Sequence, residues 1–524
     1  MLWERLVEVI ENKALKLKLR NPHRVLEVIP KSAVVDTYED GSSAVLVKWG
    51  LEEAQVLKNL RIKNVPSPIL AKYKWPGTRE PFAHQKQTAA FLTLNRRAFV
   101  FNDPGTGKTL SMIWAADYLL KLKMIRRVLV ICPVSVMRAA WVNDLFHGAM
   151  HRSVDVAHGT RKQREDVLAL DTEFVIINFD GVEILEDKLK AGGFDLVIID
   201  EANYVKTATT KRWRAINRLI KPDTWLWMAT GTPASQSPLD AYGLVKMMHP
   251  TSAPRTFGIY RDMVMTKVTT FKWVPKVSAV ETVNQLLQPA IRYTKDQCLD
   301  LPDIVYTTRD VPLSKQQQKL YDQLRTHMAA IAAGESISAV NAAVGLQKLL
   351  QVSSGAVYSD DRATVELDIS DRFNVLREVI DGTDNKVLVF VPYINTLESL
   401  EEKLIAKGYS VAVIFGKISA SKRSDIIKRF QEQPTPRVLL IQPQAASHGI
   451  TLHAADTIVW WGPIMSYETY VQANARIHRA GQKNKCLVVR LQGSPVEMKR
   501  YKALDTCEDT NESLLEMFKE VLTM

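Results

Sequence analysis

The sequence predicts an α/β protein with two parallel-sheet units, a helical stretch between them and a small α/β unit in front. Three observations carry this. Short Val/Ile-rich runs alternate with helical stretches between residues 80 and 250, and the same rhythm returns after residue 385. Runs that are apolar throughout read as strands buried on both faces, and their alternation with helices implies a parallel sheet. At 524 residues the chain is also too long for one hydrophobic core.

The first residues form the small unit. LKLKLR (Leu15 to Arg20) alternates apolar and basic side chains, the period of a half-buried strand. AVVDTYEDGSSAVLVKW places two β-rich runs around Asp40-Gly41, a hairpin signal, and LEEAQVLKNL reads as a helix. The basic strand either faces DNA or is an edge strand protected by its charge, and the second is the plainer reading. PSPILAKYKWPGTREP, rich in Pro and Gly, reads as a connector.

The first large unit contributes the strands RAFVF, RRVLVICP, EFVIIN, FDLVIID and TWLWMATG. RAFVFNDPGTGKTLSMIWAADYLL is a strand, a Gly-rich turn and a helix. Gly105 and Gly107 let the amides around Thr106 turn toward phosphate oxygens, Lys108 would reach the β- and γ-phosphates, and Thr109 would hold Mg²⁺. Asn102 stands where the strict phosphate-loop pattern has its first glycine, and such a turn alone can simply cap a helix. The strand FDLVIID ends on Asp200 and Glu201. Behind a phosphate loop, one carboxylate suits Mg²⁺ and the next suits a base or water-positioning group. Upstream, Gln85 in PFAHQKQTAAFL has an amide able to read an adenine edge, although most glutamines are merely exposed. MATGTP follows a strand; its Thr230 and Thr232 either make a turn or link the nucleotide site to another surface.

SKQQQKLYDQLRTHMAAIAA and SAVNAAVGLQKLLQ read as helices. The second large unit then has strands KVLVFVP, YSVAVIFG, PRVLLIQP, DTIVWWG and KCLVVRLQ. In QANARIHRAGQ, Arg476 and Arg479 are three apart, the spacing of one helix face. They are a solvated basic face or, opposite a phosphate loop, arginine fingers worth ~10³–10⁵ in rate, roughly 4–7 kcal/mol.

Composition narrows the function classes. Hydrophobic residues at 46% and charged ones at 24% describe an ordinary globular chain. A formal charge of +12 suits a polyanion partner or a solvated basic surface. Cys132, Cys298, Cys486 and Cys507 lie far apart without C-x-x-C spacing, which argues against a zinc knuckle or a disulfide scaffold and fits a reducing compartment. MLWERLVEVIENK is too charged for a signal peptide, and no apolar run reaches the ~18 residues of a membrane span. A cytoplasmic setting follows.

In order the chain shows HQ, DPGTGKT, VICPVSVM, FVIINFD, DEAN, ATGTP, FVPY, FGKISASKR, AASHGITLHAAD and QANARIHRAGQ. This series resembles the Swi/Snf-type branch of helicase superfamily two over residues 80 to 500, and IRYTKDQCLDLPDIVYTTRDVPLSKQQQKLY and RIHRAGQ are especially typical of it. The compact build is similar to phage and bacterial members. The resemblance implies RecA-like lobes at 76–296 and 373–524, a linker and helical protrusion at 297–372, and an accessory unit at 1–75 placed for DNA-substrate recognition. It implies a DNA-dependent ATPase using ATP and Mg²⁺ in the cleft between the lobes. Such an enzyme translocates on double-stranded or branched DNA in recombination, repair or replication. It would act as a monomer in a bacterial or phage-infected cytosol or nucleoid.

Matched position by position, the resemblance gives Gln85 the adenine, Lys108 and Thr109 the phosphates and Mg²⁺, and Asp200 and Glu201 the metal and catalytic water. Gln472, Arg476 and Arg479 match the second lobe's catalytic motif. Gly449 falls in the motif that couples nucleotide to track, and Ser135, Asn178 and Ser447 in motifs that line the track. Two departures stand out. The family usually has His where this chain has Asn203, and an Asn cannot become charged near neutral pH, which bears on coupling rather than hydrolysis. AASHGITL also has less glycine than the family pattern and no Asn near Thr451. A strand-unwinding DNA or RNA helicase and an ATPase that recycles RNA polymerase are the alternatives. A mere scaffold is disfavoured because every catalytic side chain is present.

Overall fold

The computed structural model describes residues 7–78, 80–231, 233–234, 237–269, 273–298, 301–334, 339–358, 364–446, 451–479 and 481–506. The chain divides into two compact units, Met1–Pro233 with Leu239–Cys298 and Ala234–Pro238 with Leu299–Met524.

The first unit opens with an antiparallel sheet, ordered Val7–Ile10, Ala14–Leu19, Ser43–Lys48, Ser32–Thr37 among the described residues. Alternation decides its faces. Leu15, Leu17, Val45 and Val47 are buried together, covered by Val25 of the helix His23–Val28 and by Ala54 and Leu57 of the helix Leu51–Asn59. Lys16 and Lys18 point the other way. Lys18 pairs with Asp40 at 3.1 Å and lies 4.6 Å from the Tyr38 ring centroid, so the hairpin ties this lysine down. Gly41 at φ 77° makes that turn. Gln55 Nε2 donates to the Thr93 carbonyl at 2.7 Å, and the Ser67 and Thr93 hydroxyls meet at 2.7 Å, which fastens the small sheet to the helix Ala83–Thr93.

The main sheet of this unit runs Ala290–Ile291, Arg97–Val100, Trp225–Ala229, Leu196–Asp200, Val128–Cys132, Phe174–Asn178, Val154–Ala157 among the described residues. Every pairing is parallel. The five apolar runs read from the sequence are its central strands, and four of them are buried at every position. The edge strands Val154–Ala157 and Ala290–Ile291 have weaker patterns and were not foreseen. Because the strands are parallel and neighbours in this order, the phosphate-loop turn, the TGTP turn and the carboxylate pair leave from one rim. That rim is where α/β sheets bind ligands.

The second unit holds a second parallel sheet: Ile304–Asp310, Cys486–Gln492, Ala455–Trp460, Lys386–Phe390, Val438–Ile441, Val411–Ile414 among the described residues. Its edge strand Ile304–Asp310 comes from the segment read as linker. The helices Lys315–Gly334 and Ala339–Ser354 are where the sequence put them, and Tyr321, Leu346, Leu349 and Leu350 share a core with Val496 and Ala503 of the helix Pro495–Asp505. Below this core Arg372 and Glu497 form a fully buried bidentate pair at 2.7 and 2.8 Å. Among the described residues no helix is long and apolar enough to cross a membrane.

Candidate nucleotide site

The strand Arg97–Val100 runs into a turn whose glycines, Gly105 and Gly107, have φ of 90° and 78°. Only glycine adopts this conformation without strain. A Cβ at Gly107 would also strike the Gln85 amide. The helix Lys108–Lys121 starts at once, and no side chain caps its first turn, so its amides face the turn as an anion site. Lys108 folds over the loop, donating to the carbonyls of Asn102 at 2.7 Å and Asp103 at 3.2 Å. Thr109 is half-buried in the first turn. The Thr106 hydroxyl donates to the Asp103 carbonyl at 2.8 Å, so this side chain is engaged within the loop.

Asn102, at the place of the missing glycine, is wholly buried. Its Nδ2 donates to Thr88 Oγ1 at 3.0 Å, and its Oδ1 accepts the Tyr293 amide at 3.0 Å. The side chain thereby joins the strand end to the helix Ala83–Thr93 and to the segment after the edge strand. Gln85 lies on that same helix. Its Oε1 accepts the Phe82 amide at 3.0 Å and its Nε2 donates to the Thr106 carbonyl at 3.3 Å. His84 Nε2 donates to the same carbonyl at 2.8 Å. Gln85 is therefore at the loop, and half of its hydrogen-bonding capacity holds the helix start and the loop in place.

Asp200 and Glu201 sit at the adjacent rim. The Asp200 carboxylate accepts the Trp141 indole N–H at 2.9 Å on Oδ2 and the Glu201 amide at 3.0 Å on Oδ1. Burial pushes its carboxyl above the usual carboxylate range, while the Trp141 N–H, the Lys108 charge and the Glu201 amide pull the other way. A buried carboxylate with both oxygens oriented and lone pairs remaining suits a cation ligand. Glu201 itself is left-handed at φ 54° and ψ 58°, a conformation that costs a non-glycine residue ~1–2 kcal/mol and clusters at functional sites. Asn203 lies in the short 3₁₀ turn Ala202–Val205 that follows. Thr230 is buried and its amide donates to Val100 at 3.1 Å, while Gly231 lies so near Pro104 that a Cβ would sit 3.0 Å from the ring. The TGTP turn thus packs on the phosphate loop; Thr232 lies outside the described residues.

Trp141 escaped the sequence reading. It belongs to a π-helical stretch, Met137–Val142, that follows the short helix Val134–Val136 carrying Ser135. Such a stretch marks functional sites, but nothing in the residue spacing announces it. Asn178, expected on the track, accepts Arg164 Nη1 at 2.9 Å at the end of its strand.

In the second unit the helix Tyr467–Asn474 carries Gln472, whose Nε2 donates to Glu468 at 3.2 Å. The expected helix face for Arg476 and Arg479 is not found, because the helix ends at Asn474. The physical reason lies in what fixes the next residues. Asn474 Oδ1 accepts the Trp460 indole at 2.9 Å. The Arg476 carbonyl accepts the Leu452 amide at 3.0 Å. Gln482 Nε2 donates to the carbonyls of Ala455 and Ile477, at 2.8 and 3.3 Å. His478 Nε2 donates to the Pro302 carbonyl at 2.9 Å. Arg476 is buried and Arg479 half-buried, and the charge of Arg479 helps burial hold the His453 imidazole below its usual range. Ser447 and Gly449 lie outside the described residues.

The family model for the SNF2-related domain matches residues 47–354, more than half of the chain. The chain belongs to the SNF2-related family. The helicase conserved C-terminal domain matches residues 371–481 of this SNF2-related protein. It is 25% identical over 92% of its length to an uncharacterised ATP-dependent helicase of Mycoplasma genitalium. It is 28% identical over 74% of its length to SWI/SNF-related matrix-associated actin-dependent regulator of chromatin subfamily A-like protein 1 of Xenopus laevis. It spans 45% and 39% of those two relatives, less than half of each. It is also 23% identical over 88% of its length to the DNA repair and recombination protein RAD54-like of Danio rerio, of which it spans 70%. The solved SWI2/SNF2 ATPase core of Sulfolobus solfataricus in complex with dsDNA aligns with 82% of this chain and 92% of that one, at 21% identity and a TM-score of 0.42.

Proposed function

We propose that this SNF2-related protein is a DNA-dependent ATPase that translocates on double-stranded or branched DNA and remodels it or the proteins bound to it. The observation that carries the reading is the rim of the first sheet. It gathers an uncapped helix N-terminus with Lys108, an oriented buried carboxylate at Asp200 and the strained Glu201. Together these are the parts of a Mg²⁺-nucleotide hydrolysis site. Mg²⁺, bound with the nucleotide, supplies charge neutralisation on the phosphates, and Thr109 and Asp200 are the residues that would hold it.

The chain's own groups do the rest. The first-turn amides and Lys108 bind the phosphates, Gln85 faces the base, and Glu201 takes the proton from the attacking water. Arg476 and Arg479 are the fingers that offset charge in the transition state, and Gln472 positions them or the water. Asn203 and the TGTP threonines carry nucleotide state outward. The names of the relatives, which include a chromatin regulator and a repair and recombination protein, favour DNA as the partner, as does the charge of +12. Grip through phosphates is sequence-tolerant and salt-sensitive.

The test is ATPase rate against single-stranded, duplex, forked and four-way DNA and RNA. Strongest stimulation by duplex or branched DNA, without strand separation, is the expected result. Stimulation by RNA alone, or tight capture of RNA polymerase without DNA stimulation, would replace this reading with one of the alternatives.

A further inference from the structure

The turn Ala202–Val205, which follows Glu201 and carries Asn203, also carries Tyr204, whose ring stacks on Phe179 at 4.9 Å between centroids and 8° between planes. Phe179 directly follows Asn178, at the start of the helix Phe179–Ile184. The stack joins the ends of two strands that are not neighbours, because Val128–Cys132 lies between Leu196–Asp200 and Phe174–Asn178 in the sheet. Its third member is Arg212, on the helix Lys211–Leu219, with its guanidinium 5.6 Å from each ring centroid. Arg212 is held there by Asp180 at 2.7 Å. Phe179 is almost fully buried, while Tyr204 is half-buried.

We infer that the Tyr204–Phe179 stack is a positioning contact that couples the nucleotide rim to the end of the Asn178 strand. The inference rests on the DNA-dependent ATPase reading and adds to it a second route, separate from that through Asn203 and the TGTP turn. Glu201 is three residues before Tyr204, so any rotation of its strained turn slides the Tyr204 ring across Phe179. At 4.9 Å between centroids and 8° between planes the rings lie in the parallel stacked arrangement, in contact over their faces, so a shift of one ring bears on the other. The motion therefore arrives at Asn178 and its partner Arg164 as a displacement along the rim. Ordinary core packing would need only an apolar side chain at position 204. A coupling contact needs the flat ring.

The experiment compares Tyr204→Phe, Tyr204→Leu and Tyr204→Ala in the full chain. Basal ATPase, DNA-stimulated ATPase, fluorescent-nucleotide affinity and thermal midpoint are measured together. Tyr204→Phe should keep the parent ratio of stimulated to basal rate. Tyr204→Leu and Tyr204→Ala should keep basal rate and nucleotide affinity within about twofold and lose at least about fivefold of the ratio, since the coupling contact alone is removed. Equal loss of basal and stimulated rates would overturn the inference in favour of simple packing, and so would a parent-like ratio in Tyr204→Leu. A parent protein that no DNA stimulates would overturn the DNA-dependent reading and this inference with it, whereas a stimulated parent with an unaffected Tyr204→Leu overturns the inference alone.

Discussion

The Trp141 indole N–H donates to the Asp200 carboxylate at 2.9 Å, with the tryptophan ring wholly buried. This bond orients the oxygen opposite the one held by the Glu201 amide, so the carboxylate plane is set by two donors from two different elements. Partners of this kind typically contribute about 10–100-fold to metal affinity or activity.

Trp141→Phe should keep the buried ring and remove only the donor. The expected outcome is a roughly tenfold higher Mg²⁺ requirement for nucleotide binding, with the metal-free nucleotide affinity little changed. A Mg²⁺ titration of fluorescent-nucleotide binding reads it. An unchanged Mg²⁺ dependence would mean that the Glu201 amide alone orients Asp200.

Asn102→Gly should destabilise the protein although it restores the glycine of the strict phosphate-loop pattern. Two hydrogen bonds are lost together, a buried one to Thr88 and a part-buried one from the Tyr293 amide. Each unsatisfied buried partner costs about 1–3 kcal/mol, and the added backbone freedom costs more. A loss of about 2–4 kcal/mol in denaturant unfolding is expected. A neutral result would show that the loop relaxes onto other donors.

These two residues mark how far the sequence was legible. Lys108, Asp200 and Glu201 are legible as candidates because their pattern is local: a Gly turn before a helix, two acids after a strand. Asn102 reads from the sequence only as a departure from the phosphate-loop pattern, because its partners lie 14 and 191 residues away. Trp141 is 59 residues from Asp200 and reaches it from a π-helical stretch that no spacing rule marks. The central strands of the two large sheets were readable for the same reason as the motifs, since they are apolar at nearly every position, whereas the edge strands Val154–Ala157 and Ile304–Asp310 are not. The strand Val7–Ile10 and the helix His23–Val28 were missed because four and six residues are too few to set a period. Spacing alone gives Arg476 and Arg479 a helix face, and spacing cannot see the Asn474 and Gln482 contacts beyond which the helix does not continue.

Lys108→Ala and Glu201→Gln should both abolish turnover and differ in binding. On the proposed function Lys108 meets the phosphates, so its loss should weaken nucleotide binding as well as stop hydrolysis. On the same reading Glu201→Gln removes only the proton acceptor, and Mg²⁺-nucleotide should still bind within a few-fold of the parent. Equilibrium binding beside single-turnover hydrolysis separates the two. Equal loss of binding in Glu201→Gln would make Glu201 a structural member of the strand end.

Arg476→Ala and Arg479→Ala should each lower kcat by at least ~10²-fold with modest change in nucleotide affinity, because a finger acts mainly in the transition state. Their effects on stability should diverge. Arg476 is buried and its carbonyl accepts the Leu452 amide, so truncation removes a long side chain from a packed position. Arg479 is half-buried beside His453, and its loss opens no comparable void. Arg476→Ala should therefore lower the unfolding free energy by about 1–3 kcal/mol, while Arg479→Ala stays within about 0.5 kcal/mol. Arg476→Lys distinguishes the two losses at one position: it refills much of the volume and keeps the charge, but lacks the planar fork. Recovery of stability without recovery of kcat assigns Arg476 to the chemistry. Recovery of both would mean that any cation suffices there, and a parent-like kcat in Arg476→Ala would remove it from the fingers and leave Arg479 alone in that role.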